Sequence, residues 1–343
     1  MSSTELGTAL QVRPYVAEDE PAVLALLVGA LGEGPSGQRT PDFFRWKHLE
    51  NPFGESLLLV AELDGEIVGL RAFLRWGFTL GDRSLRAVRA VDTATRQDQR
   101  GKGIFSTLTK AALADLRTDT DLVFNTPNGS SRPGYLKMGW QEVGRVPVWI
   151  KVRRPVAFAR GLRSATSVTT RPEREIDVDA PVAAAGLGDD ADLRPFLEQL
   201  DRPADRLATP YTPEYLEWRY ANAPLGYRAI VAREAGRIQG IAIFRVRPRG
   251  VLWEATIAEI LVRPGDKAAA VDLFDGVAAS APVDHLTCHF SPGSTQLTAA
   301  RRRRFFRSPK GDLILTVNPL HEGLDLVSDL GSWAVSAGTL EVF

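Results

Sequence analysis

The chain has 343 residues, long enough for two domains of ordinary size, and its 44% apolar and 24% charged content is that of a globular protein in water. Its 42 basic and 42 acidic side chains cancel, so no overall field draws it to nucleic acid or an acidic membrane, and no uncharged apolar run approaches the ~20 residues that span a bilayer. Cys288 is the only cysteine, which excludes an internal disulfide and a cysteine metal cluster; with a polar Met1–Leu10 that lacks the form of a signal peptide, it leads us to expect a cytoplasmic location.

Val12–Tyr15 reads as a first strand. Asp19-Glu20-Pro21 opens an apolar helix to Leu31, with acids and a proline in its first turn. Pro41–Leu49 is a second helix. Ser56–Leu63 and Glu66–Leu74 are strands joined at Asp64-Gly65, a hairpin dipeptide. Trp76–Leu80 and Leu85–Thr95 continue the meander around Gly81-Asp82. Gln99–Ser106 is a glycine turn leading into a helix over Ile104–Leu116; Leu122–Asn125 is a strand, a short helix carries Tyr135, and Val146–Val152 is a final strand. The order predicts an α+β fold: a mixed, mostly antiparallel sheet flanked by helices.

The region from about Arg153 to Gly186 loses this regularity. After it the pattern returns. Phe44-Arg-Trp46 through Pro52-Phe-Gly54 compares with Leu216-Glu-Trp218 through Pro224-Leu-Gly226, with the same Trp-to-Pro spacing. Leu58–Ala61 matches Ala229–Ala232, Asp64-Gly65 matches Ala235-Gly236, and Val68-Gly69 matches Gln239-Gly240. Asp92 and Thr95 align with Glu259 and Val262, and Thr126–Gly129 with Ser291–Ser294. We therefore expect tandem domains, residues 1–153 and 187–343, joined by a linker over 154–186.

The glycine turn carries the chemistry. A strand, a Gly-rich turn and a helix N-terminus make an anion site, because backbone N–H groups face the ligand and the helix dipole favours negative charge. Arg100 and Lys102 add positive charge, and Gly101 and Gly103 keep side chains away. Arg96 and Ser106 rule out Walker and Rossmann spacings. The second half has Gly265-Asp266-Lys267 at this place and Ala300 where the first has Tyr135, so the chemistry belongs to the first half.

Arg100-Gly-Lys-Gly103 at the start of a helix, followed by Asn128 and Tyr135-Leu-Lys-Met-Gly139-Trp140, resembles the GCN5-related N-acetyltransferase (GNAT) superfamily. Phe105 departs from the small residue usual there. The resemblance covers residues 10–152 clearly and 187–320 weakly. It implies acetyl-CoA as co-substrate, bound by Thr93, Ala94 and Thr95 along the parted strand, by Arg100, Gly101, Lys102, Gly103, Ile104, Phe105 and Ser106 at the diphosphate, and by Asn128. It further implies an N-acyltransferase acting on a primary amine of a small molecule, such as an amino sugar or a metabolite, with Tyr135 as general acid; a phenol is protonated at neutral pH and suited to the departing sulfur. Asp92 is the nearest carboxylate for a base, ahead of Asp82 and Glu142. A CoA-binding regulatory protein without turnover and an aminoacyl-tRNA-dependent transferase stay open as alternatives. We expect no metal, since His285, Cys288 and His289 fall on a strand, and no nucleic-acid or membrane partner, since Arg301–Arg304 is a short basic run; the oligomeric state is left open.

Overall fold

A computed structural model describes residues 10–32, 39–164, 172, 174–188, 190–200 and 203–340; the amino-terminal stretch 1–9 and residues 165–171 and 173 of the expected linker lie outside the described residues. The strands are β1 (Gln11–Pro14), β2 (Leu57–Leu63), β3 (Glu66–Leu80), β4 (Arg83–Thr95), β5 (Leu122–Asn125), β6 (Gln141–Val146), β7 (Trp149–Val152), β8 (Leu207–Ala208), β9 (Tyr227–Glu234), β10 (Arg237–Arg249), β11 (Leu252–Val262), β12 (His285–Cys288), β13 (Phe306–Arg307), β14 (Leu313–Pro319) and β15 (Trp333–Ala334). The α-helices are α1 (Glu20–Leu31), α2 (Pro41–His48), α3 (Ile104–Leu116), α4 (Arg132–Lys137), α5 (Pro155–Ser164), α6 (Ala183–Gly186), α7 (Leu193–Leu197), α8 (Pro213–Tyr220), α9 (Lys267–Ser280), α10 (Thr295–Arg302) and α11 (Ala337–Leu340).

One sheet runs β1-β2-β3-β4-β5-β14-β6, with β8 and β15 at its side; the other runs β13-β7-β12-β11-β10-β9. Among the described residues only β4–β5, β11–β12 and β8–β15 pair in parallel. The fold is α+β, as the element order predicts.

Val146–Val152 is not one strand. Pro147 lacks the N–H a ladder needs, so the run breaks there. β6 stays in the first sheet, while β7 crosses to pair with β12 and β13 in the second. In exchange, β14 returns from the C-terminal half and lies between β5 and β6. A cut at residue 153 thus does not separate two self-contained sheets. The expected linker also carries a helix, α5.

The segments matched by sequence adopt matched shapes. α2 and α8 are both eight residues long, begin with proline, and are capped by Thr40 and Thr212, whose hydroxyls accept from Phe43 and Tyr215 N–H. Their tryptophans meet face to face: Trp46 Nε1 donates to the Trp218 carbonyl at 2.8 Å, and Trp218 Nε1 donates to the Trp46 carbonyl at 2.9 Å. The rings stack at 5.5 Å. One apolar core contains both, joining Phe44 and Trp76 to Tyr215 and Tyr227. Gly69 and Gly240 are each a close approach of sheet and helix. A Cβ on Gly69 would stand 2.7 Å from Ile104 Cγ2 on α3, and one on Gly240 2.8 Å from Leu273 Cδ1 on α9. α11 ties the halves together: Arg89 of β4 donates to the Thr339 and Leu340 carbonyls, and Ser336, just before the helix, donates to Glu259 of β11.

Candidate functional site

Among the described residues β4 and β5 pair only between Ala87–Arg89 and Leu122–Phe124; beyond Arg89 β4 stays paired with β3 to Thr95 while its edge toward β5 is left without a strand partner. A crevice of about 340 Å³ opens there. Thr93, Ala94, Thr95, Arg100, Gly101, Gly103, Ile104 and Phe105 line it, together with Gln99, Ala30 and Leu31. Eight of the eleven residues expected to bind the co-substrate therefore meet around one cavity. Lys102 bonds Gln99 Oε1 at 2.9 Å, and Ser106 sits half-buried on the first turn of α3. Asn128 is apart from them: its Oδ1 accepts from the N–H groups of Ser130 and Ser131 and shapes the turn before α4.

Among the described residues the amino terminus of α3 is bare of any side-chain cap: Gly103 is its N-cap at φ 83°, no side chain accepts from the first turn, and Gly101 sits at φ 79°. Both conformations favour glycine. The first-turn N–H groups have no acceptor within the helix, and the dipole makes that end positive. The corresponding end of α9 differs: Asp266 caps it, accepting from Ala269 N–H at 2.9 Å. The chain's own carboxylate occupies the anion position there.

A bulge in β4 marks the parting. Leu70 pairs with Ala94 and Ala72 with Val91, so Asp92 and Thr93 together oppose Arg71. Asp92 has φ 38°. The two bulged residues reach different surroundings. Thr93 Oγ1 accepts from Arg71, whose Nη1 also donates to the Tyr135 hydroxyl at 3.0 Å. Arg71 is fully buried and packs over the rings of Phe73, Tyr135 and Phe105, at 4.3, 5.3 and 5.5 Å. Phe105 meets Tyr135 edge-on at 5.5 Å, above Gly134. Its bulk is taken up between α3 and α4, which accommodates the departure noted in sequence. Tyr135 is buried and does not itself line the crevice; Arg71 and Thr93 link its hydroxyl to the wall.

Asp92 is occupied differently from the expected base. Its Oδ2 accepts from Lys47 Nζ at 2.6 Å and lies 3.0 Å from His48 Nε2, while Arg39 stands 3.7 Å from Oδ1. Burial works to raise this carboxyl, but Lys47 and His48 hold it well below the usual carboxylate range. Burial in turn pulls Lys47 and His48 down, keeping the imidazole neutral near pH 7. A carboxylate so held is a poor proton acceptor. Asp82 is exposed in the β3–β4 turn, ten residues along the strand, and Glu142 pairs with Arg132.

The second sheet repeats the parting. β11 and β12 pair over Glu254–Ile257 and His285–Cys288 and then separate around a cavity of about 360 Å³. Glu259 stands where Asp92 does and accepts from Tyr220 at 2.7 Å and from Tyr211 and Ser336, both at 2.8 Å. Burial pushes it up to about 6 against those three hydroxyls. His285 pairs with Glu254, and the basic run is built into the fold: Arg301 lies over Trp149 and Arg303 pairs with Asp275.

Sequence reasoning missed Arg71 and Lys47. Arg71 was detectable as a lone charge in the apolar run Val68–Leu74; Lys47 gave no such signal, because its helix is rich in charge.

Among known families, residues 11–143 match the acetyltransferase (GNAT) domain. No curated protein matches the chain in sequence. Solved structures share its fold. A GCN5-related N-acetyltransferase from Anabaena variabilis superposes with a TM-score of 0.65 at 13% identity, over 91% of this chain and 73% of that one. A probable N-acyltransferase from Enterococcus faecalis gives 0.63 at 16% identity, over 91% and 73%. Eis1 from Mycobacterium abscessus gives 0.56 at 14% identity, over 94% and 76%. Among the described residues no helix is long and apolar enough to cross a membrane.

Proposed function

Residues 11–143 belong to the acetyltransferase (GNAT) superfamily, and from that premise we propose that this N-acetyltransferase takes its acyl group from acetyl-CoA in the crevice between β4 and β5 and passes it to a primary amine of a small molecule. The observation that carries the reading is the bare amino terminus of α3 at the mouth of the parted strands. Peptide N–H groups from Gly101 to Ser106 suit the diphosphate, and the unpaired edge of Thr93–Thr95 suits the amide-bearing tail, as an added strand would. The second half is read as a copy of the first in which Asp266 has closed the anion site.

The acceptor nitrogen attacks the thioester carbonyl. The C–N bond forms, the C–S bond breaks, Tyr135 gives its proton to the departing sulfur, and the new amide nitrogen sheds its extra proton to solvent. Holding both reactants in one cleft supplies much of the acceleration. Asp92 holds Lys47 and His48 in place instead of taking the acceptor's proton, so the acceptor reacts as its free base.

Release of free thiol from acetyl-CoA, followed across a panel of primary amines, tests this. Turnover with at least one amine is expected, and Tyr135→Phe is expected to lower kcat roughly 100-fold while leaving acetyl-CoA affinity within about threefold. Binding without thiol release for any amine would make the chain a binding protein. An unchanged rate in Tyr135→Phe would remove the tyrosine as acid.

A further inference from the structure

Arg71 is a fully buried cation, and among the described residues no carboxylate pairs with it. Among the described residues its Nε and Nη2 have no hydrogen-bond partner, and Nη1 alone is engaged, by Thr93 and Tyr135. Burying a guanidinium this way is costly, and the three rings around it offset only part of the cost. Packing alone gives no reason to keep it, since an apolar side chain would serve β3 better.

The chain contains its own comparison. The strand registers that align Gly69 with Gly240 and Thr95 with Val262 place Ala242 opposite Arg71 and Ile260 opposite Thr93. The helix alignments place Ala270 opposite Phe105 and Ala300 opposite Tyr135. All four residues of the second half belong to one buried apolar cluster. The other polar group behaves differently: Lys47, His48 and Asp92 correspond to Arg219, Tyr220 and Glu259, which are also polar and buried. The group at α2 and α8 thus persists in both halves, as a structural device would. The Arg71–Tyr135 group exists only beside the bare helix end.

We propose that Arg71 is a positioning residue for acyl transfer, which aims the Tyr135 hydroxyl at the departing sulfur and steadies the phenolate that forms when its proton leaves. The inference rests on the reading of Tyr135 as the acid. Arg71 Nη1 donates to the phenol oxygen, so the phenol's own O–H is directed elsewhere. In the reacting complex the C–S electron pair goes to sulfur and the Tyr135 proton follows it. Arg71 keeps its proton throughout, and Tyr135 regains one from solvent, which also takes the proton shed by the new amide nitrogen. Thr93 fixes the guanidinium from the crevice side.

A double-mutant cycle on the full chain separates this from a packing role. Arg71→Met is expected to lower kcat at least 30-fold, with acetyl-CoA Kd by calorimetry changed less than about threefold. In the Tyr135→Phe background the same change should cost less than about threefold, because its target is gone. Arg71→Lys, which keeps the charge and loses the fork, should recover part of kcat. Thermal midpoints and circular dichroism confirm that the variants fold, and Arg71→Lys carries the cycle if Arg71→Met does not. A normal kcat in Arg71→Met, or a full additional loss in the double variant, overturns the inference and leaves Tyr135 as the acid. A normal kcat in Tyr135→Phe overturns the reading of Tyr135 first, and the inference with it.

Discussion

Replacing Asp92 by asparagine distinguishes an anchor from a base. The substitution keeps shape and removes the charge that faces Lys47, whose side chain is 2% exposed, with Arg39 also nearby. Breaking a buried pair from one side leaves the remaining charge uncompensated and costs about 3–5 kcal/mol. In a molecule of this size each kcal/mol moves the thermal midpoint by about 2 °C, so a drop of roughly 6–10 °C is expected. With the fold intact at assay temperature, kcat should stay within about threefold of wild type. A general base would behave in the opposite way, with a loss of about 10²–10⁴ in rate and little change in stability. Calorimetric melting and thiol release on one preparation measure both. A hundredfold fall in kcat with the midpoint moved by less than 2 °C would refute the anchoring role.

The pH dependence of that cluster has a definite sign. Asp92 and His48 are both lowered in the folded state, so the unfolded chain binds more protons on acidification; stability should fall as pH drops below about 6.5 through His48 and again below about 4 through Asp92. Glu259 runs the other way: raised to about 6, it contributes fully below about 4.3 and loses that contribution as pH rises to 6. Glu259→Gln should therefore gain stability relative to wild type between pH 4.5 and 6.5, read as a widening difference in midpoint; a constant difference would contradict the burial of an ionising carboxyl there. Gly69→Val places a side chain where Ile104 and Leu108 already stand. It should cost about 1–3 kcal/mol and weaken acetyl-CoA binding at least tenfold by pushing the start of α3 off the sheet, and normal calorimetric affinity would show that this contact does not set the anion site.

The local elements were legible in the sequence because their signals are local. Asp64-Gly65 and Ala235-Gly236 read as hairpin turns, and each pair takes positive φ. α3 spans Ile104–Leu116, as its apolar pattern predicts. The tryptophan helices were found by spacing alone, although the reciprocal hydrogen bonds that make the match meaningful are tertiary. The strand exchange was hidden. Pro147 announces a break, but nothing nearby says that Trp149–Val152 pairs with residues more than 130 positions away. The crevice was legible for the same reason as α3, since glycines and a helix start are contiguous. The partners of its bulge were not: Arg71 and Tyr135 are separated by 64 residues, and Asp92 lies 45 from Lys47. The position of Asp92 beside the parting strand could be read from the sequence; that Lys47 and His48 share its carboxylate could not.

Calorimetric titration of acetyl-CoA into the wild-type chain, Gly103→Glu and Ala268→Glu is the most direct test of where the co-substrate lies. Gly103→Glu puts bulk and negative charge at a left-handed position on the bare end of α3; Ala268→Glu makes the same change on α9, where Asp266 already caps the helix. One site per chain is expected, lost in Gly103→Glu and unchanged in Ala268→Glu. Binding that survives the first change or disappears with the second would contradict the assignment.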